Sequence, residues 1–250
     1  LNVADGNALY KSADGILCNA NYEAIYCPYG KAGEYTVNAN ITAIGEGAFA
    51  KRNLLTKVTI PATVAEIKAN AFANCAALSE VVFASTEAVL TTAIGSEAFR
   101  NCQALATLTF ENGSKVVTIG EYAFADNAKL SEVSLPASLT NIADYAFSNC
   151  INVKKVRINA SESASLGSKI FADCSLLTTI ELSAAVNSGV TNTTFSGCYQ
   201  LKQIVVDEGN ATYASENGIL YNKDKTELIY CAPKNIVSSL PETVTTIRAN

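Results

Sequence analysis

A chain of 250 residues without a single histidine excludes Ser-His-Asp and Cys-His catalysis and any histidine-containing zinc site. Its formal net charge of −5, with lysine and arginine scattered along the length, argues against nucleic acid and against an anionic membrane surface as partner. No apolar run reaches the roughly 18 residues a membrane helix needs, and no signal-peptide pattern stands at Leu1. With no methionine either, the numbered chain is expected to be a mature or trimmed product.

The first residues already repeat a later part of the chain. ADGNALYKSADGIL (Ala4 to Leu17) aligns without a gap on DEGNATYASENGIL (Asp207 to Leu220). Each copy leads into apolar runs around a polar turn, Ile16 to Pro28 and Ile219 to Pro233, a β-hairpin signal. Residues 1–40 are therefore predicted as a partial coil and a first hairpin, and 207–240 as a second hairpin segment.

Between them lies an internal repeat, anchored on Phe49, Phe72, Phe99, Phe124, Phe147, Phe171 and Phe195. Successive gaps are 23, 27, 25, 23, 24 and 24 residues, and periods of this size signal a solenoid. The positions 5 before and 6, 9 and 11 after each anchor are apolar in all seven copies, as in Ile67, Leu78, Val81 and Phe83 around Phe72. The alternation at the end of each coil, as in LTKVTI (Leu55 to Ile60), predicts a short strand, and Pro61 and Pro136 follow two of these where the chain must turn. The segment around the anchor is too short for an α-helix and suits one helical turn. A lone coil buries too little to offset its ordering entropy, so stability is expected to come from stacking.

Three segments depart from the regular coil: Ser85 to Ala93, Glu111 to Val117 and Asn159 to Ser165. Extra residues in solenoids map to surface loops, and loops are predicted here. Residues 41–206 thus form the coils, and 241–250 begin a further one, VTTIRAN matching VAEIKAN at Val64 to Asn70. Both ends are expected to be cuts through a longer array, since a natural end needs a polar capping coil.

The pattern IxxxAFxxCxxLxxVxI with a following proline resembles the leucine-rich repeats of BspA-type bacterial surface proteins. The interposed NGILYNKDKTELIYCAPK resembles the hairpin segment of the same family. The resemblance implies a right-handed leucine-rich-repeat horseshoe of short parallel β-strands with single helical turns. It implies an extracellular or bacterial cell-surface location and a non-catalytic role in adhesion or binding, to a host or matrix protein or glycan. It implies no cofactor, metal or catalytic residues. A structural spacer projecting another domain is the alternative function, and a monomer is expected.

Five of eight cysteines, Cys75, Cys102, Cys150, Cys174 and Cys198, recur 3 residues after the anchor, with Arg52 and Asn127 in their place in two coils. The column reads as small buried thiols facing inward. Stacked coils put their α-carbons about 4.8 Å apart, within disulfide reach, but parallel Cα–Cβ vectors bridge poorly.

Positions 8 and 10 after each anchor point away from the core. They nominate a ligand face of Lys57, Thr59, Glu80, Thr107, Thr109, Glu132, Ser134, Lys155, Arg157, Thr179, Glu181 and Gln203. In register, Lys57 is expected beside Glu80, Glu132 beside Lys155 and Arg157 near Glu181, a self-compensated polar surface.

Overall fold

The computed structural model describes residues 1–85, 91–235 and 239–248. Part of the Ser85 to Ala93 insertion and the closing Ala-Asn pair lie outside them. The chain winds into a β-solenoid with three ladders of contact from coil to coil. Along the first, the strands Gly33–Thr36, Leu55–Ile60, Glu80–Phe83 and Thr107–Phe110 pair in parallel as one sheet. Glu132–Ser134, Lys155–Ile158, Thr179–Leu182 and Gln203–Val206 pair in parallel as another. Along the second, short return strands from Ala43–Ile44 to Ala160–Leu166 form part of one nine-stranded sheet.

The third ladder runs through the anchor turns and corrects the helical-turn expectation. Only Asn192–Phe195 is a 3₁₀ helix among the described residues. In the other coils the residues 2 before and 2 after the anchor adopt left-handed φ, for example Asn70 at 57° and Asn74 at 60°. Alternate amides then face sideways instead of along a helix. Asn70, Phe72 and Asn74 donate to the carbonyls of Ser96, Ala98 and Arg100 in the next coil, at 2.9, 2.7 and 2.9 Å. The amides between them close turns within the coil, as Ala73 to Asn70 at 3.0 Å. Backbone polarity that a helix would satisfy internally is spent on the neighbour, as stacking requires.

The core is a spine. Rings of Phe49, Phe72, Phe99, Phe124, Phe147 and Phe171 stack in sequence with centroids 4.8–5.4 Å apart, and Tyr35 extends the row at 6.0 Å from Phe49. Each such pair adds about 0.5–1.5 kcal/mol beyond the burial itself. Phe195 instead meets Tyr230 of the second hairpin edge-on at 5.6 Å.

The hairpins form as predicted and gain a strand each. Tyr10–Ala13 pairs antiparallel with Ile16–Asn19, which pairs with Glu23–Tyr26. Glu23–Tyr26 then pairs in parallel with Ala43–Ile44, so this hairpin runs directly into the return sheet. Tyr213–Glu216, Ile219–Asn222 and Glu227–Cys231 repeat the arrangement. Two predicted loops differ. Asn159 to Ser165 falls largely in the return strand Ala160–Leu166, and Glu111 to Val117 is a turn followed by the strand Val116–Ile119. In both, the added residues extend a return strand that neighbouring coils already template.

Candidate functional site

All twelve residues nominated for the ligand face lie on the outer side of the two strand sheets, alternating with core residues. Thr107, Glu132, Ser134, Lys155 and Gln203 are exposed; the other seven are half-buried. By backbone pairing they divide between the two sheets. Lys57, Thr59, Glu80, Thr107 and Thr109 belong to the first sheet and the remainder to the second.

Charges on this surface are mutually compensated. Lys57 meets Glu80 at 3.0 Å, as register predicts. Glu132 does align with Lys155, yet the Lys155 ammonium turns to Glu181 on the following strand, at 2.6 Å. Arg157 shares that carboxylate, holding Glu181 at 3.3 Å, and also holds Asp207 at 2.9 Å. Its Nε donates to Asn159 Oδ1 at 2.9 Å. The Lys155 contact and then Arg157 hold the Glu181 carboxyl below its ordinary pKa. Glu132 has no ion partner among the described residues. A depression of about 210 Å³ lies between Glu132, Ser134, Lys155, Arg157 and Glu181.

A larger groove of about 860 Å³ follows the strand ends, from Leu108–Lys115 across Ser134–Ser138 to Ser183, Ala184 and Asp207. Its lining mixes small and apolar residues, such as Leu135, Ala137 and Ala160, with polar ones, such as Ser134, Ser138 and Asp207.

On the anchor-turn side stands a ladder that sequence reading missed. Tyr122 and Tyr145 stack at 4.9 Å and 9°, with Arg100 over one ring at 5.2 Å and Lys169 over the other at 5.5 Å. Both tyrosines occupy the left-handed position 2 before the anchor, where earlier coils carry Gly47 and Asn70. The hairpin tyrosines are engaged too: Arg52 is buried with its guanidinium 4.0 Å from the Tyr29 ring centroid and 5.2 Å from that of Tyr26.

The cysteine column has a duty beyond filling space. Cys75, Cys102, Cys150, Cys174 and Cys198 are free and buried, and each thiol donates to the anchor carbonyl of the preceding coil, Phe49, Phe72, Phe124, Phe147 and Phe171, at 3.0–3.3 Å. The exceptions do the same. Asn127 Nδ2 donates to Phe99 O at 3.0 Å and Phe124 O at 2.7 Å, and Arg52 Nε donates to Cys27 O. Burial pushes the Cys150 and Cys198 thiols up to about 12, which keeps them protonated donors. Among the described residues no cluster of three or more His, Cys, Asp or Glu side chains is placed to hold a metal ion, and no helix is long and apolar enough to cross a membrane.

A family model described as the BspA type leucine rich repeat region matches six copies, over residues 24–114 and 92–223. The chain belongs to this BspA-type leucine-rich repeat family. Among solved structures, this BspA-type chain is similar to the pneumococcal vaccine antigen PcpA, with 25% identity and a TM-score of 0.61 over 98% of this chain and 60% of that one. A leucine rich cell surface protein from Faecalibacterium prausnitzii shares the fold at 24% identity and a TM-score of 0.64, over 90% and 62%. A leucine-rich repeat protein from Eubacterium ventriosum does so at 21% and 0.52, over 96% and 54%. This chain therefore spans about 60% of the length of the first two. Among curated proteins, none matches it in sequence.

Proposed function

We propose that this BspA-type chain is a non-catalytic binding module displayed on a bacterial cell surface or secreted from the cell, with a host or matrix protein or glycan as its partner. The observation that carries the reading is the outer surface of the second strand sheet. There Lys155, Arg157, Glu181 and Asp207 form a preorganised charge network above a shallow depression. Such a surface offers fixed, directional hydrogen-bonding groups without a deep cleft, as protein and glycan recognition requires. The similarity to a cell surface protein and to a vaccine antigen supports the location.

The test is a panel of immobilised matrix proteins and glycans, probed with the intact chain and with a Lys155→Glu/Arg157→Glu variant. Reversing two charges at the network should reduce binding to the retained partner at least tenfold. A clean negative over a broad panel favours the alternative, a spacer that projects another domain.

A further inference from the structure

We propose that the groove of about 860 Å³ along the strand ends is a binding site for a neutral oligosaccharide. This rests on the reading of the chain as a binding module and names the class of partner.

The groove crosses the tails of five successive coils, those of Phe99, Phe124, Phe147, Phe171 and Phe195. Four spacings of about 4.8 Å make it about 19 Å long. A pyranose advances an extended oligosaccharide by nearly one such spacing, so a tetrasaccharide spans the groove. Backbone pairing with a peptide has little to hold there. The strand-end amides of Glu111, Leu135, Ser183 and Asp207 already donate to the carbonyls of Phe83, Arg157, Ile158 and Leu182, at 3.0–3.1 Å. What the groove offers instead is side chains: hydroxyls, an amide and a carboxylate.

Arg157 fixes the two most directional of these. Its Nε donates to Asn159 Oδ1 and its Nη2 to Asp207 Oδ2, both at 2.9 Å. A guanidinium only donates, so the Asn159 oxygen must face it, and Nδ2 is left without a partner among the described residues. Asp207 keeps its second carboxylate oxygen as an acceptor. A donor and an acceptor thus stand side by side on one guanidinium, and adjacent ring hydroxyls of a sugar supply one of each in return. Serines add to the pair. Ser114 is almost fully buried and Ser183 half-buried; both line the groove, and neither hydroxyl has a hydrogen-bond partner among the described residues. Buried hydroxyls left unpaired are uncommon, and a hydroxyl-bearing ligand relieves them. Phe110, half-buried with its ring 5.0 Å from that of Phe83, and the half-buried Pro136 give apolar contact to the C–H face of a sugar ring. The charges balance. Glu111 and Lys115 bring one of each sign and Asp207 is compensated by Arg157, so nothing along the groove selects an ionised ligand.

The test follows amide NMR shifts of the intact chain titrated with cellotetraose, mannotetraose and tetra-N-acetylchitotetraose. A sulfated heparin tetrasaccharide and the peptide LTTIELS, the sequence of Leu177 to Ser183, stand for the competing classes. At least one neutral sugar should give saturable shifts at Gly113, Ser114, Asn159 and Ser183. Asn159→Asp keeps the acceptor for Arg157 but removes the free donor, so it should weaken that sugar about tenfold without lowering the urea midpoint. Ser183→Ala, which removes an unpaired hydroxyl, should weaken it about threefold, again without loss of stability. No shifts with any neutral sugar, undiminished binding by either variant, or shifts at these amides with only the heparin fragment or the peptide overturns the proposal. The panel of matrix proteins and glycans separates the two readings. If a panel partner is lost in Lys155→Glu/Arg157→Glu while every neutral sugar leaves the parent chain unshifted, the groove fails and the binding module stands.

Discussion

At the scale of single residues, the column 3 positions after each anchor shows how packing and hydrogen bonding share one side chain. A buried anchor carbonyl needs a donor, and leaving it unmet costs about 1–3 kcal/mol. Cys174→Ala should therefore destabilise the chain by about 2 kcal/mol in urea titration, while Cys174→Ser, which keeps a donor to Phe147 O, should cost less. Equal losses for the two would make the column a matter of volume alone. Thiol labelling gives a second check. Native protein should react quickly at the exposed Cys231 and slowly at the seven buried cysteines, and all eight should titrate after unfolding without reductant. The position of this column was legible in the sequence, but its duty was not, because a thiol reads as a small apolar filler. The clue lay in the two departures. Cysteine, asparagine and arginine differ in size and charge and have in common only an S–H or N–H to donate.

At the scale of elements, the anchor turn depends on left-handed residues at two fixed places in each coil. Lys51 sits at φ 59°, exposed, where a side chain costs about 1–2 kcal/mol that glycine avoids. Against that, glycine loses about 0.5–1 kcal/mol in backbone entropy. Lys51→Gly should accordingly stabilise by about 0.5 kcal/mol, and the β-branched Lys51→Val should destabilise by about 1 kcal/mol or more. A glycine variant weaker than the valine variant would rule out the strain argument. This turn was misread as a helical turn because length alone was weighed. Its signature was Asn70 and Asn74, then Asp126, Asn149 and Asp173: residues that tolerate left-handed φ, flanking phenylalanine at fixed offsets. The strand face carries its own test. Glu181 has a folded pKa below its ordinary 4.5, held there first by Lys155 and also by Arg157. Its contribution is complete above that ordinary value and disappears as pH falls through the lower folded one. Acid should therefore lower the urea midpoint, as pH falls through and below about 4.5, more in the parent chain than in Lys155→Gln. Identical slopes would mean that the network contributes nothing to stability, the common result for exposed pairs.

At the scale of the whole molecule, stability is close to a sum of coils and the interfaces between them. The periodic phenylalanines made the continuous spine readable before any coordinates. The interruption of the strand ladder was not readable, though two irregularities mark its place: the insertion after Phe110 and Asn127 where most coils carry cysteine. At that junction the Asn127 Oδ1 is buried without a partner among the described residues. An interface joined on two sides is weaker than its neighbours, which are joined on three, and it should be where the array parts. The comparison of Phe124→Ala with Phe147→Ala tests this. Both rings are fully buried and stacked on both faces, so each truncation should cost about 3–5 kcal/mol. Phe124 borders the weak interface, and its loss should let the coils before and after it unfold separately, giving two transitions in calorimetry and urea. Phe147 lies between coils paired along their strands on either side, so its loss should lower the midpoint of a single transition. One transition in both variants, or two only in Phe147→Ala, would place the weak interface elsewhere in the stack.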